Sequence, residues 1–143
     1  MTETFEISSL KELNKVCEFI QKSFSDPTFF AFDGEMGSGK TTTIGQIIQS
    51  FGIQHFEGSP TYAIIQEYAN SDGRKIYHLD CYRIENERDA FNLGLEELFD
   101  ENSWFFVEWA ENIHFLLPDK VVWVYLRYDK VKETRTITFT YDN

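Results

Sequence analysis

The sequence predicts an α/β protein, a three-layer sandwich built on a mixed, partly antiparallel sheet. Three observations favour this class. An apolar run, a glycine-rich loop and an amphipathic segment follow one another over residues 28–51, which is the order strand, loop, helix. Residues 62–80 then show two strand-like runs around a polar turn, as in a hairpin. Two more strand-like runs, 121–128 and 134–141, follow, so that strands alternate with helices early and dominate later.

The N-terminal segment predicts a strand followed by a helix. TFEISS at 4–9 alternates polar and apolar residues as a strand does. SLKE at 9–12 has the form of a capping box, with Ser9 as the N-cap and Glu12 reaching back to it. The helix is expected to end before Pro27. Its apolar face is predicted to consist of Leu10, Leu13, Val16, Cys17 and Ile20.

The stretch GEMGSGKTTT at 34–43 has the Walker A spacing, in which Gly34 and four residues precede Gly39-Lys40-Thr41. Its glycines let the backbone turn so that successive N–H groups surround an anion. The following helix would add the positive end of its dipole. This motif predicts that the sandwich is of the P-loop NTPase-like kind. We also predict a catalytic role for Lys40. The predicted nucleotide contacts in the loop are Gly37, Ser38, Gly39, Lys40, Thr41 and Thr42.

Two carboxylates end apolar runs, Asp80 after KIYHL and Glu108 after WFFV, and both have Walker B form. Glu108 is the better metal ligand, because no polar residue precedes it in its run, whereas Asp80 belongs to a hairpin expected nearer the sheet edge. We therefore assign Glu108 to Mg²⁺, opposite the Thr41 hydroxyl. Asp80 is assigned to the γ-phosphate side, where it would position water or couple a switch loop to turnover.

Two further side chains have open interpretations. Thr61 follows Pro60 in a loop and could sense the γ-phosphate as switch threonines do, although an ordinary loop turn also explains it. His78 shares a strand face with Asp80, where it either polarises that site or is a hydrogen-bonded structural histidine. The charged segment 85–99 is broken at Gly94 and predicts two short helical turns.

The composition predicts one domain, residues 1–143, in the cytoplasm. The chain is 42% hydrophobic and carries a net charge of −11. This acidity repels nucleic-acid phosphates and suits a basic protein surface, although solubility alone explains most of the charges. No apolar stretch approaches a membrane span, and the acidic start MTETFEISS is unlike a signal peptide. Cys17 and Cys81 are too few for a disulfide framework and are expected to be free thiols.

The motifs GEMGSGKTT, SPTYAIIQEY, YHLDCYRI, LGLEELF and FVEWAENI occur in the order and spacing of the TsaE family, which the chain resembles over residues 28–118. The resemblance implies a small bacterial ATPase of tRNA threonylcarbamoyladenosine biosynthesis. It would use ATP with Mg²⁺ and act with TsaB and TsaD, meeting tRNA only through that assembly. In such an assembly TsaD performs the transfer to adenosine 37.

The resemblance also implies roles for individual residues. Lys40 and Thr41 would contact phosphate and Mg²⁺, Asp80 would be needed for turnover, and Glu108 would be the second metal ligand. Thr61 would belong to a switch-like loop, and Trp109 matches the tryptophan that follows the family's acid. Two further family positions lie near the nucleotide, and the nearest matches here are Leu10 and Lys132.

The sequence departs from the family at Glu35-Met36, where Asp-Leu is frequent, and at Gly45, where arginine is frequent. Other P-loop classes also remain open. A GTPase is unsupported, because the chain has neither N-K-x-D after the loop nor D-x-x-G. A small metabolite kinase usually has several arginines over the transferred phosphate, and the five here do not cluster in the sequence. A non-catalytic nucleotide-sensing adaptor is the third alternative.

Overall fold

In the computed structural model, which describes residues 1–53, 55–56 and 64–142, seven strands form one mixed sheet. In chain order these are β1 (Thr2–Ile7), β2 (Phe29–Asp33), β3 (Ile65–Ala69), β4 (Lys75–Asp80), β5 (Trp104–Glu108), β6 (Val122–Asp129) and β7 (Thr134–Thr140). The helices are α1 (Leu13–Ser23), α2 (Lys40–Ser50), α3 (Glu87–Asn92) and α4 (Leu95–Phe99), and two 3₁₀ segments cover Leu10–Glu12 and Ala110–Leu116.

The middle of the sheet is parallel and its margins are antiparallel. Across the sheet the order is β1-β7-β6-β2-β5-β4-β3. Strand β2 pairs in parallel with β5 and β6, and β5 pairs in parallel with β4. Parallel strands end at the same edge of a sheet, where α/β proteins bind ligands. This pairing therefore brings Asp80 beside Glu108, and both acids next to the loop that follows β2.

Two apolar layers cover the faces of the sheet, which confirms the three-layer sandwich. Alternate residues of each buried strand point to opposite faces. Phe30, Phe32 and Phe106 pack in one core with the apolar stripes of α1 and α2. Ala31 and Val107 pack in the other core with α3, α4 and the 3₁₀ segment that follows β5. Strands β2 and β5 are thus held on both sides, which fixes the loops at their ends.

The start of α1 differs from the expected capping box. The Ser9 side chain makes no capping hydrogen bond, and the Glu12 carboxylate instead accepts from the backbone N–H and hydroxyl of Ser8. Residues 10–12 form a 3₁₀ turn, and α1 begins only at Leu13. Because a 3₁₀ turn has three residues per turn, its side chains do not continue the stripe of the α-helix. Leu10 is accordingly 63% exposed, and the core face begins at Leu13.

Other elements follow the sequence-based expectations closely. β3 and β4 form the predicted antiparallel hairpin at one margin, with β3 outermost, so Asp80 does lie on a strand nearer the edge than Glu108. Gly94 adopts a left-handed φ of 71° and separates α3 from α4.

Cys17 and Cys81 are buried free thiols. In the described ranges, none of the helices combines the length and apolar character needed to cross a bilayer.

Candidate nucleotide site

The glycine-rich loop connects the end of β2 to the start of α2. Gly37 and Gly39 have φ of 83° and 101°, a left-handed backbone that glycine adopts without a steric penalty. At Gly34 a Cβ atom would lie 2.6 Å from the Ser38 hydroxyl and 3.0 Å from the Leu126 carbonyl oxygen. The loop can therefore close tightly on the amino end of an eleven-residue helix. Its first-turn N–H groups and its dipole favour a bound anion.

Lys40, the first residue of α2, is buried at the mouth of this loop. Its Nζ donates a hydrogen bond to the Gly34 carbonyl oxygen and lies 3.7 Å from the centroid of the Trp109 ring. Burial lowers the pKa of the Lys40 ammonium, and the nearby carboxylates, above all Glu108, act in the opposite direction. The loop thus holds a positive charge in a fixed place, where it can meet a phosphate.

Thr41 and Glu108 face each other at the adjacent ends of α2 and β5. The Thr41 hydroxyl lies 3.1 Å from Oε1 and 3.2 Å from Oε2 of Glu108, to which it donates. Glu108 is buried, and the Nε2 atom of His78 lies 2.6 Å from its Oε2. Glu108 is therefore held between a hydroxyl and an imidazole. Of the two interpretations of His78, the structure shows the hydrogen-bonded histidine, and its partner is Glu108.

A hydroxyl and a carboxylate are hard oxygen donors of the kind that Mg²⁺ prefers. Among the described residues, no group of three or more histidine, cysteine, aspartate or glutamate side chains is arranged to hold a metal by itself. The Thr41–Glu108 pair fits Mg²⁺, which typically takes one or two protein ligands and completes its shell with substrate phosphates and water. Thr41 and Glu108 are the side chains that would hold it.

Asp80 lies in register beside Glu108 on the neighbouring strand and lines the same cavity. Its Oδ1 accepts a hydrogen bond from the Tyr82 backbone N–H at 3.0 Å, which orients the carboxylate at the turn after β4. The cavity has a volume of about 360 Å³ and is also lined by the P-loop, Trp109 and Arg135. Both predicted acids thus line one cavity with the glycine-rich loop.

A second cavity of about 350 Å³ lies on the other side of the P-loop. It shares Gly39, Thr42 and Arg135 with the first cavity and extends to Leu10 and Leu13. Together the two cavities form a groove that is polar at the P-loop and apolar at the start of α1. Leu10 is exposed and lines this second cavity, and its predicted place near the nucleotide stays a prediction.

The structure places Arg135, and not Lys132, in this groove. Lys132 lies in the β6–β7 turn, exposed, and its backbone N–H is bonded to Asp129; it lines neither cavity. Arg135 donates from Nε to the Ser38 carbonyl oxygen at 3.0 Å, and its guanidinium lies 5.0 Å from the Tyr128 ring centroid. Sequence reasoning missed Arg135, because an arginine early in a predicted strand belongs to no motif.

Two predicted site residues remain to be placed, Thr61 and Trp109. Thr61 lies outside the described residues, so its predicted switch role stays a prediction. Trp109 was identified only by its place after Glu108. In the structure it adopts a left-handed backbone with φ of 58° and contacts both Lys40 and the Tyr82 ring, whose centroid lies 4.9 Å away. Trp109 thereby forms one wall of the cavity.

Comparison with known proteins extends the likeness to nearly the whole chain. The family model described as "Threonylcarbamoyl adenosine biosynthesis protein TsaE" matches residues 7–137. The chain is 32% identical over 124 residues to the tRNA threonylcarbamoyladenosine biosynthesis protein TsaE of Haemophilus influenzae, a match that covers 86% of this chain and 78% of that protein. It is 35% identical over 130 residues to the protein of that name from Bacillus subtilis, covering 90% and 80%.

A solved structure shares the fold. The crystal structure of Bacillus subtilis YdiB superimposes with a TM-score of 0.79 at 26% sequence identity, covering all of this chain and 87% of that one. The family match includes the P-loop, both acids, β6 and the first half of β7. The chain therefore belongs to the TsaE family of threonylcarbamoyl adenosine biosynthesis proteins.

Proposed function

We propose that this protein binds ATP with Mg²⁺ and hydrolyses it in support of the threonylcarbamoyl modification of adenosine 37 in tRNA. It acts in the cytoplasm with TsaB and TsaD, and it meets tRNA only through that assembly. The observation that carries the proposal is the convergence of Lys40 with the Thr41–Glu108 pair at the end of β2 and β5. This is the arrangement that a nucleoside triphosphate with its metal requires.

Binding would begin with the phosphates. The P-loop N–H groups and the amino end of α2 would receive phosphate oxygens, and the Lys40 ammonium would reach the β- and γ-phosphates. Lys40 already has its Nζ fixed by the Gly34 carbonyl and the Trp109 ring, so little reorganisation is needed. The apolar second cavity, with Leu10 at its margin, has room for the nucleoside part.

Hydrolysis would depend on groups beside the γ-phosphate. A Mg²⁺ ion, when bound at Thr41 and Glu108, supplies charge neutralisation for the phosphate oxygens. The Asp80 carboxylate lies beside Glu108 and lines the same cavity, where it would orient the attacking water or accept its proton. We keep Thr61 as the proposed switch residue on the γ-phosphate side.

We expect the isolated chain to hydrolyse ATP slowly, because of where its arginines lie. Of the arginines in the described ranges, only Arg135 lines the P-loop cavities, and its Nε is bonded to the loop backbone rather than extended across the cavity. An arginine that stabilises the transition state is a large catalytic factor in P-loop enzymes. A partner that supplies such a group, or repositions Asp80, would therefore accelerate hydrolysis. The acidic chain suits docking on a basic partner surface.

Phosphate release by the purified protein tests the proposal, alone and with saturating TsaB and TsaD, with Lys40→Ala as the inactive control. We expect slow release without any acceptor and a clear increase with the partners. Acceptor-dependent transfer would identify a kinase, and tight ATP binding with no turnover under either condition would identify a nucleotide-sensing adaptor. A Lys40→Ala protein that binds and turns over ATP like the wild type would refute the P-loop site itself.

A further inference from the structure

His78 and Glu108 form a buried hydrogen-bonded pair across two neighbouring strands. The parallel register places Asp80 beside Glu108, so His78 lies two residues earlier on the same face of the sheet. Its Nε2 is 2.6 Å from Glu108 Oε2, and the two side chains are 0% and 5% exposed. The contact is therefore shielded from water and set by the sheet rather than by mobile loops.

Within the part of the chain that the structure describes, Nε2 of the two His78 ring nitrogens is hydrogen-bonded and Nδ1 is not. A carboxylate only accepts hydrogen bonds, and it already accepts from Thr41, so the contact requires the proton on Nε2. Nδ1 is buried and has no hydrogen-bond partner among the described residues. A buried polar atom without a partner is destabilising, because it has lost its hydrogen bonds to water. If this position served only for packing, an apolar side chain would be more favourable, because it would leave no buried nitrogen without a partner. The hydrogen bond to Glu108 is therefore what distinguishes His78 from a packing residue.

Aromatic packing also restrains the imidazole ring of His78. The Phe56 ring is stacked on it, with 5.7 Å between the ring centroids and an interplanar angle of 22°. Phe56 in turn is stacked on Tyr68 at 6.0 Å. Gly45 in α2 leaves the room for this stack, because a Cβ there would lie 2.8 Å from the Phe56 ring. His78 is thereby restrained both in rotation and in distance from Glu108.

The geometry points to His78 as a positioning residue for the metal carboxylate: its Nε2–H holds Oε2 of Glu108 and so fixes the orientation of a carboxylate whose two oxygens lie 3.1 and 3.2 Å from the Thr41 hydroxyl. Oε1 would then be the oxygen offered to Mg²⁺. This inference rests on the proposed function, since it requires Mg²⁺ to bind at Thr41 and Glu108. Outer partners of metal ligands typically change metal affinity by about 10–100-fold when they are removed. Among the described residues, the hydrogen-bond partner of His78 is Glu108 and not Lys40 or a P-loop N–H group, so binding of nucleotide without metal should change little when His78 is replaced.

The test compares His78→Leu, which keeps the volume without a donor, with His78→Gln, whose side-chain amide can replace the Nε2–H. Calorimetry measures the affinity for a non-hydrolysable ATP analogue with Mg²⁺ and again in EDTA, and the ratio of the two affinities is the readout. We expect the ratio to fall by about 10–100-fold in His78→Leu. In His78→Gln the ratio should stay close to the wild-type value. Affinity in EDTA should stay at the wild-type value in both.

Phe106→Leu is the matched control, because Phe106 lies in register beside His78, is buried, and has no polar atom. It should lower Tm and leave the ratio intact. An unchanged ratio in His78→Leu, an equal loss in His78→Gln, or the same loss in Phe106→Leu would each overturn the positioning role. If His78→Leu does not fold, His78→Asn, whose amide is one methylene shorter, replaces it with the same expectation. A wild-type protein without any Mg²⁺ dependence would instead refute the proposed metal site.

Discussion

The ammonium of Lys40 lies against the face of the Trp109 ring, with 3.7 Å between Nζ and the ring centroid. Trp109 reaches this place by a left-handed backbone, with φ of 58°, directly after Glu108. Such a conformation is unfavourable for a non-glycine residue and persists only where surrounding contacts maintain it. The tryptophan therefore orients the P-loop lysine as one wall of the phosphate cavity.

Trp109→Ala should weaken nucleotide binding. A cation–π contact contributes about 0.5–2 kcal/mol, so we expect affinity to fall by about 2–30-fold as Lys40 loses its fixed position. Calorimetry with ADP measures the change, and Trp109→Phe, which keeps an aromatic face, should lose less. Wild-type affinity in the alanine variant would show that the ring does not position Lys40.

Replacing the two acids should separate metal binding from turnover. Glu108→Ala removes the carboxylate opposite Thr41 and should weaken Mg²⁺-dependent nucleotide binding, together with hydrolysis. Asp80→Ala should leave that binding nearly intact while turnover falls by about two orders of magnitude or more, as when a positioned acid–base group is lost. Binding calorimetry is paired with phosphate release on both proteins. If only Asp80→Ala loses Mg²⁺-dependent binding, the two roles are reversed.

Arg135 and Lys132 can be distinguished by paired substitutions. Arg135→Ala removes the bond from Nε to the Ser38 carbonyl oxygen, a charged hydrogen bond of about 1.5–3 kcal/mol. Because this bond fixes the loop backbone, nucleotide affinity should fall by part of that energy, about three- to tenfold. Lys132→Ala removes an equal charge from the same hairpin and should change the affinity by less than about twofold, since Lys132 lines neither cavity. A larger loss in Lys132→Ala would mean that the lysine is the nucleotide contact.

Gly45→Ala should destabilise the protein, although alanine favours a helix. Helix propensity contributes about 1 kcal/mol in favour of alanine. The added Cβ would lie 2.8 Å from the Phe56 ring, and overpacking typically costs about 1–3 kcal/mol. Urea unfolding should show a net loss of stability in the wild-type background and a gain in Phe56→Ala, where the ring is absent. A gain in both backgrounds would show that Phe56 moves aside without cost.

Alkaline pH should destabilise the fold partly through Cys81. Burial raises the pKa of the Cys81 thiol to about 12, from 9.0, and nearby carboxylates act in the same direction. The unfolded chain therefore releases this proton first, and the free energy of unfolding falls as the pH rises from 9.0 toward 12. Cys81→Ala should reduce that slope in urea titrations. An identical slope in the variant would assign the alkaline loss to other groups.

Much of the site was predictable because its signals are local. The spacing of Gly34, Gly39 and Lys40 specifies a turn that only small residues allow, and a helix follows it at once. Asp80 and Glu108 each end an apolar run, so strand periodicity places them at a carboxyl end. The capping box at Ser9 was wrong because a 3₁₀ turn intervenes before α1, and Glu12 finds its partner at Ser8 instead.

By itself, then, the sequence determined the strand–loop–helix unit, the glycine-rich loop with Walker A spacing, the two acids at strand ends and the family, since each of these depends on residues close together along the chain. Only the tertiary structure decided which side chains join them. The pairing of β4 with β5 puts His78 on Glu108, and the antiparallel return of β7 brings Arg135 instead of Lys132 to the P-loop. Strand order and register arise from contacts between residues far apart in sequence, and a one-residue shift in register would turn each of these side chains to the opposite face of the sheet.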